Sequence, residues 1–507
     1  MFFTTKHQSV ESAIEPTIQQ GQTTSDHPIF TSGGLHIPTI AADFLSGEST
    51  NISSARASNH SSFTDKKPTT ELGLVPTVSS AQISAVVEHS LSALKHKVSY
   101  TSLTQPVSPS STATLSVATL DAIKTATRHQ FKKNVALSGV IAGQTELARL
   151  DRRGYQLTYR GYSALDLAKT GTYEEISYLL LYGDLPNQST LMHYQRQLTM
   201  QRGLPIGLLN ILEQLPATAN PIDVLISGVN YLAMSHPEIS AANVQHTRDI
   251  ALRLIAGLPS MLGYWHQFSH YGRRLNVNDM TAMGHTSELL LSILDHNQKP
   301  SPLQIETLDR FLILSAEHEF SPSAFAGRVA ASTGSDMYAV VIAGFCALKG
   351  DVHGGAMQRA IELIQRYSTL AEAEQDVLQR LATGQTLHGF GHFVYTQQDP
   401  RTAVAKQLAN QLCQVSGEWH IFKIAEHIEE VVRLHKGLFA NFDWYAAIIL
   451  HHLLITPSLY IGLSAIARVT GFIAHGLEQR QEGMVIRPNA EYIGDDHRQV
   501  RPLFGRI

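Results

Sequence analysis

The chain has 507 residues, 43% of them apolar and 16% charged, and 39 basic against 43 acidic side chains leave a net charge of −4 at pH 7. Such a balance suits a large globular protein and gives no electrostatic reason to expect nucleic acid or an anionic membrane as partner. Two cysteines, Cys346 and Cys413, are too few for a disulfide scaffold or a thiolate zinc site and fit a reducing compartment.

The N-terminus, Met1 to Lys6, lacks the apolar stretch of a secretory signal. No arginine precedes Arg56, whereas Glu11, Glu15, Asp26, Asp43 and Glu48 do, the reverse of a mitochondrial presequence. A cytoplasmic protein is therefore expected. Residues 1–125 are rich in Ser and Thr and poor in aromatics, as in Ser108-Pro109-Ser110-Ser111-Thr112. They cannot bury enough apolar surface to offset the entropy of ordering, which predicts a disordered tail. Within it, Ala81 to Leu94 places Ile83, Val86, Val87, Leu91 and Leu94 near helical spacing, as a docking helix would.

Residues 126–507 read as helices punctuated by Gly, Pro and polar turns. Apolar positions at helical spacing predict helices over 173–182, 222–233, 247–257, 284–294, 304–317, 358–367, 403–414 and 421–434. In the last of these, Ile421, Ile424, Ala425, Ile428, Val431 and Val432 form one apolar stripe. The longest apolar run, Tyr338 to Leu348, is too short to span a bilayer and predicts a helix buried in protein. Two short strands are expected, over Tyr155 to Arg160 and Met484 to Ile486. No internal repeat of fixed period occurs. The body is all-α.

Three histidines fall where the helical pattern ends, the positions at which a scaffold presents functional groups. They are His318 in Glu317-His318-Glu319-Phe320, His353 in His353-Gly354-Gly355-Ala356, and His392 in Gly389-Phe390-Gly391-His392. Flanking glycines allow a ligand close to the backbone and free peptide N–H groups to meet it. Taken singly, each motif reads more readily as a turn with a capping or solvent-facing histidine. A metal site is disfavoured. His388 and His392 are separated by Gly389 and Gly391, which oppose a helix, His318-Glu319 lacks a second histidine four residues on, and His451 and His452 diverge on one helix. Neither a G-x-S-x-G elbow nor a phosphate-cradling glycine loop is present.

What remains is acid–base chemistry on a carbonyl compound. Asp443 is a lone acid among aromatics in Asn441-Phe442-Asp443-Trp444-Tyr445, where desolvation would raise its pKa toward that of a general base. A helix N-cap before Trp444 explains the same residue. Arg160, Arg401, Arg468 and Arg487 lie beside Gly, Pro or aromatic residues instead of on charge-rich faces. Such arginines suit bidentate pairing with a small polycarboxylate.

In this order and spacing, these motifs resemble the citrate synthase family. The match runs from about Lys132 to the C-terminus and includes Ala136-Leu137-Ser138-Gly139, Tyr159-Arg160-Gly161-Tyr162, Thr333-Gly334-Ser335-Asp336-Met337-Tyr338, Asp399-Pro400-Arg401 and Ile486-Arg487-Pro488. The entry stretch Lys133 to Val140, Tyr264-Trp265-His266 with Ser269-His270, and Glu478-Gln479-Arg480-Gln481 are most similar to the bacterial 2-methylcitrate synthase branch.

The resemblance implies a helical homodimer whose subunit has a large domain and a smaller one inserted at about 350–450, with the site between them. It implies that Asp443 removes the α-proton of an acyl-CoA, that His353 hydrogen-bonds the thioester oxygen, and that His392 polarises the keto group of oxaloacetate. Arg160, His318, Arg401 and Arg468 would bind oxaloacetate, with Arg487 contributed across the dimer interface. Leu387, His388, Gly389, Phe390 and Gly391 would hold coenzyme A, a substrate moiety and not a resident cofactor. Propionyl-CoA and acetyl-CoA are the two acyl donors so implied.

Three departures stand out. Met357 follows His-Gly-Gly-Ala where the family usually has Asn, Ser321 stands for Asn three residues after His318, and Phe393 follows the Gly-Phe-Gly-His motif. A chain that keeps the fold but acts as a binding module is the competing reading that Met357 and Ser321 leave open.

Overall fold

The structure is a computed structural model and describes residues 136–137, 139–240, 243–276, 284–294 and 299–505. The Ser/Thr-rich tail and its Ala81 to Leu94 segment lie outside the described residues. A small antiparallel sheet opens the body, with β1 (Ala148–Leu150), β2 (Leu157–Tyr159) and β3 (Tyr162–Ser163) in that order and Ala148 opposite Tyr159. β2 falls inside the strand expected from sequence. The other expected strand does not form: residues 484–486 run outside any sheet, and the Ile486 N–H donates to the Ser332 hydroxyl at 3.1 Å.

Sixteen α-helices follow among the described residues: α1 (Ala164–Thr170), α2 (Tyr173–Tyr182), α3 (Gln188–Met200), α4 (Ile206–Gln214), α5 (Pro221–Ser235), α6 (Val244–Tyr271), α7 (Thr286–Leu294), α8 (Pro302–Ser315), α9 (Pro322–Ser332), α10 (Met337–Leu348), α11 (Ala356–Ile364), α12 (Leu370–Ala382), α13 (Thr402–Ser416), α14 (His420–Lys436), α15 (Phe442–His452) and α16 (Tyr460–Glu482). All eight striped segments are helical, with ends displaced by a few residues except at the C-terminal end of α6.

Local chemistry explains the well-placed starts. Thr172 with Glu175 and Ser301 with Gln304 form reciprocal capping boxes at α2 and α8. The largest departure is α6, whose amphipathic stripe ends before Pro259 but which continues as a helix through it to Tyr271. A mid-helix proline costs roughly 3 kcal/mol. Burial of nearly every side chain from Ile250 to Gln267, at about 1.5–3 kcal/mol for each large apolar one, outweighs that cost.

Helix α16 forms the axis of the body and packs on α2, α6, α8, α9 and α10. The stretch from Pro457, in a short turn before α16, to Glu482 holds a window apolar enough to cross a membrane, but 78% of that window is buried inside the protein. Close packing is possible because glycines face the neighbours: a Cβ on Gly471 would stand 2.6 Å from the Ala316 carbonyl, and one on Gly476 3.0 Å from Met337. Helices α11 to α15 pack mainly on one another and meet the rest through α8 and α16. The motif-bearing loops leave α8 or enter α11, α13 and α15.

Candidate active site

The chain leaves α8 through Ala316-Glu317-His318-Glu319, with Glu319 in the left-handed region at φ 53°. Helix α16 holds this turn from behind. Arg468 donates its Nε–H to the Ser315 carbonyl at 2.8 Å and its Nη1–H to the Ser321 hydroxyl at 3.2 Å. Gly471, one turn further along, leaves room for the Glu317 carboxylate, whose Oε1 pairs with His475 Nε2 at 3.0 Å. His318 is thereby fixed in the interior, with its Nε2 3.1 Å from the Tyr395 hydroxyl and its ring 5.1 Å from that of His392.

His392 and Asp443 are far apart in sequence but share one anchor. The Gly391 N–H donates to the Phe439 carbonyl at 2.8 Å, and the Asn441 N–H donates to the Gly389 carbonyl at 2.9 Å. Asn441 Nδ2 donates to the Gly391 carbonyl, also at 2.9 Å. Gly389 has φ 90° and lies so close to Trp444 that a Cβ would stand 2.7 Å from the indole, so only glycine fits. The same Asn441 caps α15 by accepting from the Asp443 N–H at 3.0 Å. Asp443 is therefore not the cap. Its carboxylate accepts no hydrogen bond among the described residues, which leaves it available to a substrate proton.

Proton positions on two imidazoles follow from their partners. His392 Nδ1 accepts from the N–H groups of Val394 (3.0 Å) and Tyr395 (3.2 Å), so the neutral ring carries its proton on Nε2. At the other ring, the Ser321 hydroxyl already accepts from Arg468 Nη1 and from the Ala324 N–H, leaving its hydrogen for Ser323 Oγ at 3.3 Å. Ser323 then donates to His353 Nε2 at 2.8 Å, which makes Nδ1–H the free donor of that ring.

Electrostatics sharpen these roles. Burial lowers the pKa of His353 and His392 to about 4, with Arg468 and His392 adding to the effect at His353, while Asp399 partly opposes it at His392. Both are neutral donors at pH 7. Burial raises Asp443 to about 6, against the pull of Arg401 and Arg468. Burial also holds His318 well below the ordinary histidine range, and Arg401, His392, Arg468 and His353 reinforce the shift, so all five groups share one neighbourhood.

Arg401 is buried and gripped by Asp399, Nη2 to Oδ2 at 2.7 Å and Nε to Oδ1 at 3.0 Å. Asp399 Oδ2 also accepts from the Phe442 N–H at 3.1 Å, joining the arginine to the first turn of α15. The site is thus two imidazole donors, a carboxylate with an elevated pKa, and two guanidinium groups, Arg401 buried and Arg468 half-buried. That set can bind a small dicarboxylate, take a proton from carbon and stabilise negative charge on oxygen. Among the described residues, no three His, Cys, Asp or Glu side chains are grouped as a metal would require.

The structure brings together His318, His353, His392, Arg401, Asp443 and Arg468, and places Leu387 to Gly391 on the strap that carries His392. Phe390 of that strap lies against Trp444, ring centroids 4.6 Å apart. His388 has its pKa lowered by burial and by Arg359. Arg160 does not join them. Neighbouring strand positions face opposite ways. Tyr159 points inward to the Ile313 carbonyl at 3.2 Å, while Arg160, at φ 48° in the β2–β3 turn, bonds Glu146 and the Leu180 carbonyl. Arg487 is exposed on the segment after α16 and, among the described residues, bonds Asn489 alone.

Sequence reading missed Asp399, Ser323, Tyr395 and Asn441. Asp399 and Asn441 lay inside motifs already singled out, and an acid two residues before a proposed substrate arginine was the available signal. Of the departures, Ser321 links Arg468 to Ser323, and Met357 is buried in the core at the start of α11.

A family profile described as "Citrate synthase, C-terminal domain" matches residues 136–489. The chain is 38% identical to a 2-methylcitrate synthase of Shewanella oneidensis over 372 residues, covering 73% of this chain and 97% of the relative. It is 32% identical to a citrate/2-methylcitrate synthase of Bacillus subtilis over 71% of this chain and 95% of the relative. A citrate synthase of Heyndrickxia coagulans is 33% identical, with the same two coverages. Among solved structures, the ternary complex of carboxymethyl coenzyme A and oxaloacetate with citrate synthase from Thermoplasma acidophilum superposes with a TM-score of 0.67. It is 29% identical and covers 73% of this chain and 98% of that one.

Proposed function

The chain belongs to the citrate synthase family of acyltransferases, and from that premise we propose that it condenses propionyl-CoA with oxaloacetate and water to give 2-methylcitrate and coenzyme A, in propionate breakdown. Asp443 takes the α-proton of the acyl thioester. The His353 Nδ1–H stabilises the enol oxygen, and the His392 Nε2–H polarises the keto group and delivers its proton to the forming alkoxide. Water then cleaves the thioester of the condensed product, releasing coenzyme A.

His318, Arg401 and Arg468 hold the oxaloacetate carboxylates, completed by Arg487 of the partner subunit in a homodimer. The exposure of Arg487 beside the exposed apolar Met484 and Val485 supports that arrangement. The segment from Leu387 to Gly391 receives coenzyme A.

One observation carries the reading: Asp443, His353 and His392, from three separate stretches of chain, converge electrostatically, Asp443 feeling both Arg401 and Arg468, His353 feeling Arg468 and His392, and His392 feeling Arg401, with their proton donors and acceptor in complementary states. The acyl preference rests on the 38% identity to a 2-methylcitrate synthase. A single methylene is worth about 1–3 kcal/mol of discrimination, so acetyl-CoA will also react.

Release of thiol from each thioester in the presence of oxaloacetate tests this. A higher kcat/KM for propionyl-CoA is expected. A higher value for acetyl-CoA would make the enzyme a citrate synthase of the tricarboxylic acid cycle, and no release from either would leave a binding module.

A further inference from the structure

Arg160, which resemblance assigned to oxaloacetate, lines a different cavity. A space of about 610 Å³ lies between the chain before β1, the C-terminal ends of α2 and α16, and the N-terminal end of α6. That volume is in the range of small-molecule sites. Leu180, Leu181 and Leu477 give it an apolar wall.

Three carboxylates and two guanidinium groups supply its charge. The carboxylates are largely engaged. Glu478 accepts from the Glu146 N–H at 2.8 Å and pairs with Arg328 at 2.5 Å, and Glu482 pairs with the same Arg328 at 2.9 Å. Glu146 has a side chain 89% exposed and reaches Arg160 at 3.4 Å. The guanidinium groups are satisfied only in part, since Arg160 donates to Glu146 and to the Leu180 carbonyl at 3.3 Å but leaves its Nε–H unused. Arg248 lies over the Tyr182 ring at 4.5 Å and makes no hydrogen bond or ion pair among the described residues. Its Nε and that of Arg160 are both buried without an acceptor. A buried charged donor with no acceptor carries a desolvation cost that an incoming anion removes.

We propose that this cavity is a second anion site, separate from the condensing site. It takes a compact organic anion bearing at least two carboxylate or phosphate oxygens, with Arg160 and Arg248 as planar forks and the leucines against the ligand's apolar body.

Titration calorimetry on the full-length protein tests this with tricarballylate and pyrophosphate as probes. Each titration is run with the condensing site filled by oxaloacetate and carboxymethyl coenzyme A, and again without them. Binding of about one probe per chain is expected with that site filled. Preference for one probe identifies the oxygen chemistry as carboxylate or phosphate. Arg248→Ala and Arg160→Ala should each weaken binding at least tenfold, while Arg248→Ala condenses at the wild-type rate without probe. Arg248→Gln replaces it if the alanine variant does not fold. Binding of neither probe with the condensing site filled, or equal binding by Arg248→Ala, would overturn the proposal. Condensation by the wild type, measured separately, keeps this outcome distinct from failure of the proposed function.

Discussion

Replacing Asp443 by Asn separates the cost of a buried base from its use. Burial raises this carboxyl from 3.8 to about 6. Each tenfold change in proton affinity corresponds to about 1.36 kcal/mol, so at a pH well above 6 the ionised side chain destabilises the folded state by at most about 3 kcal/mol. Because the folded pKa is the higher one, the folded protein binds the extra proton between pH 6 and 3.8, and the penalty disappears as pH falls through that window. Below about pH 4 the carboxyl is protonated in both states, and the variant gains nothing.

Asp443→Asn should therefore unfold at higher urea concentration than the wild type at pH 8, by up to about 3 kcal/mol, with the gap closing toward pH 4. The same variant should release no thiol yet bind oxaloacetate, since Arg401 and Arg468 are untouched. Urea unfolding across this pH range, thiol release and oxaloacetate calorimetry measure the three quantities. A variant less stable at pH 8, a gap indifferent to pH, or persisting condensation would each refute the reasoning.

Wild-type kcat/KM should fall on the acid side through a single ionisation near pH 6, because His353 and His392 are already neutral there. Ser323→Ala removes the donor that fixes the His353 proton; kcat should drop about tenfold with little change in melting temperature, as steady-state kinetics and a thermal melt would show. Asp399→Asn leaves buried Arg401 without its countercharge and should cost about 3–5 kcal/mol in urea unfolding, whereas joint replacement of Asp399 by Leu and Arg401 by Met should recover stability but not oxaloacetate binding. Gly389→Ala forces a Cβ against fully buried Trp444 at an unfavourable φ, and a loss of about 2–4 kcal/mol with lowered activity is expected.

Helix positions were legible where a stripe met a polar face, as in α14, because the 3.6-residue period survives whatever the helix packs against. The stripe failed at α6, where burial on all sides erases the contrast and overrides Pro259. The strand expected at residues 484–486 failed because strand formation needs a partner, which a local pattern cannot supply. Asp443 read equally as a cap, and only Asn441 taking that place settled it.

The order of the motifs alone determined the family, the helical class and which histidines and which acid to watch, since side-chain chemistry and helical period are properties of the linear chain. Tertiary structure decided which arginines converge, that Arg160 turns to another cavity, and which ring nitrogen carries each proton. Those depend on burial and on partners distant along the chain: Ser323 for His353, Asp399 for Arg401, and one asparagine that ties the strap carrying His392 to the helix carrying Asp443.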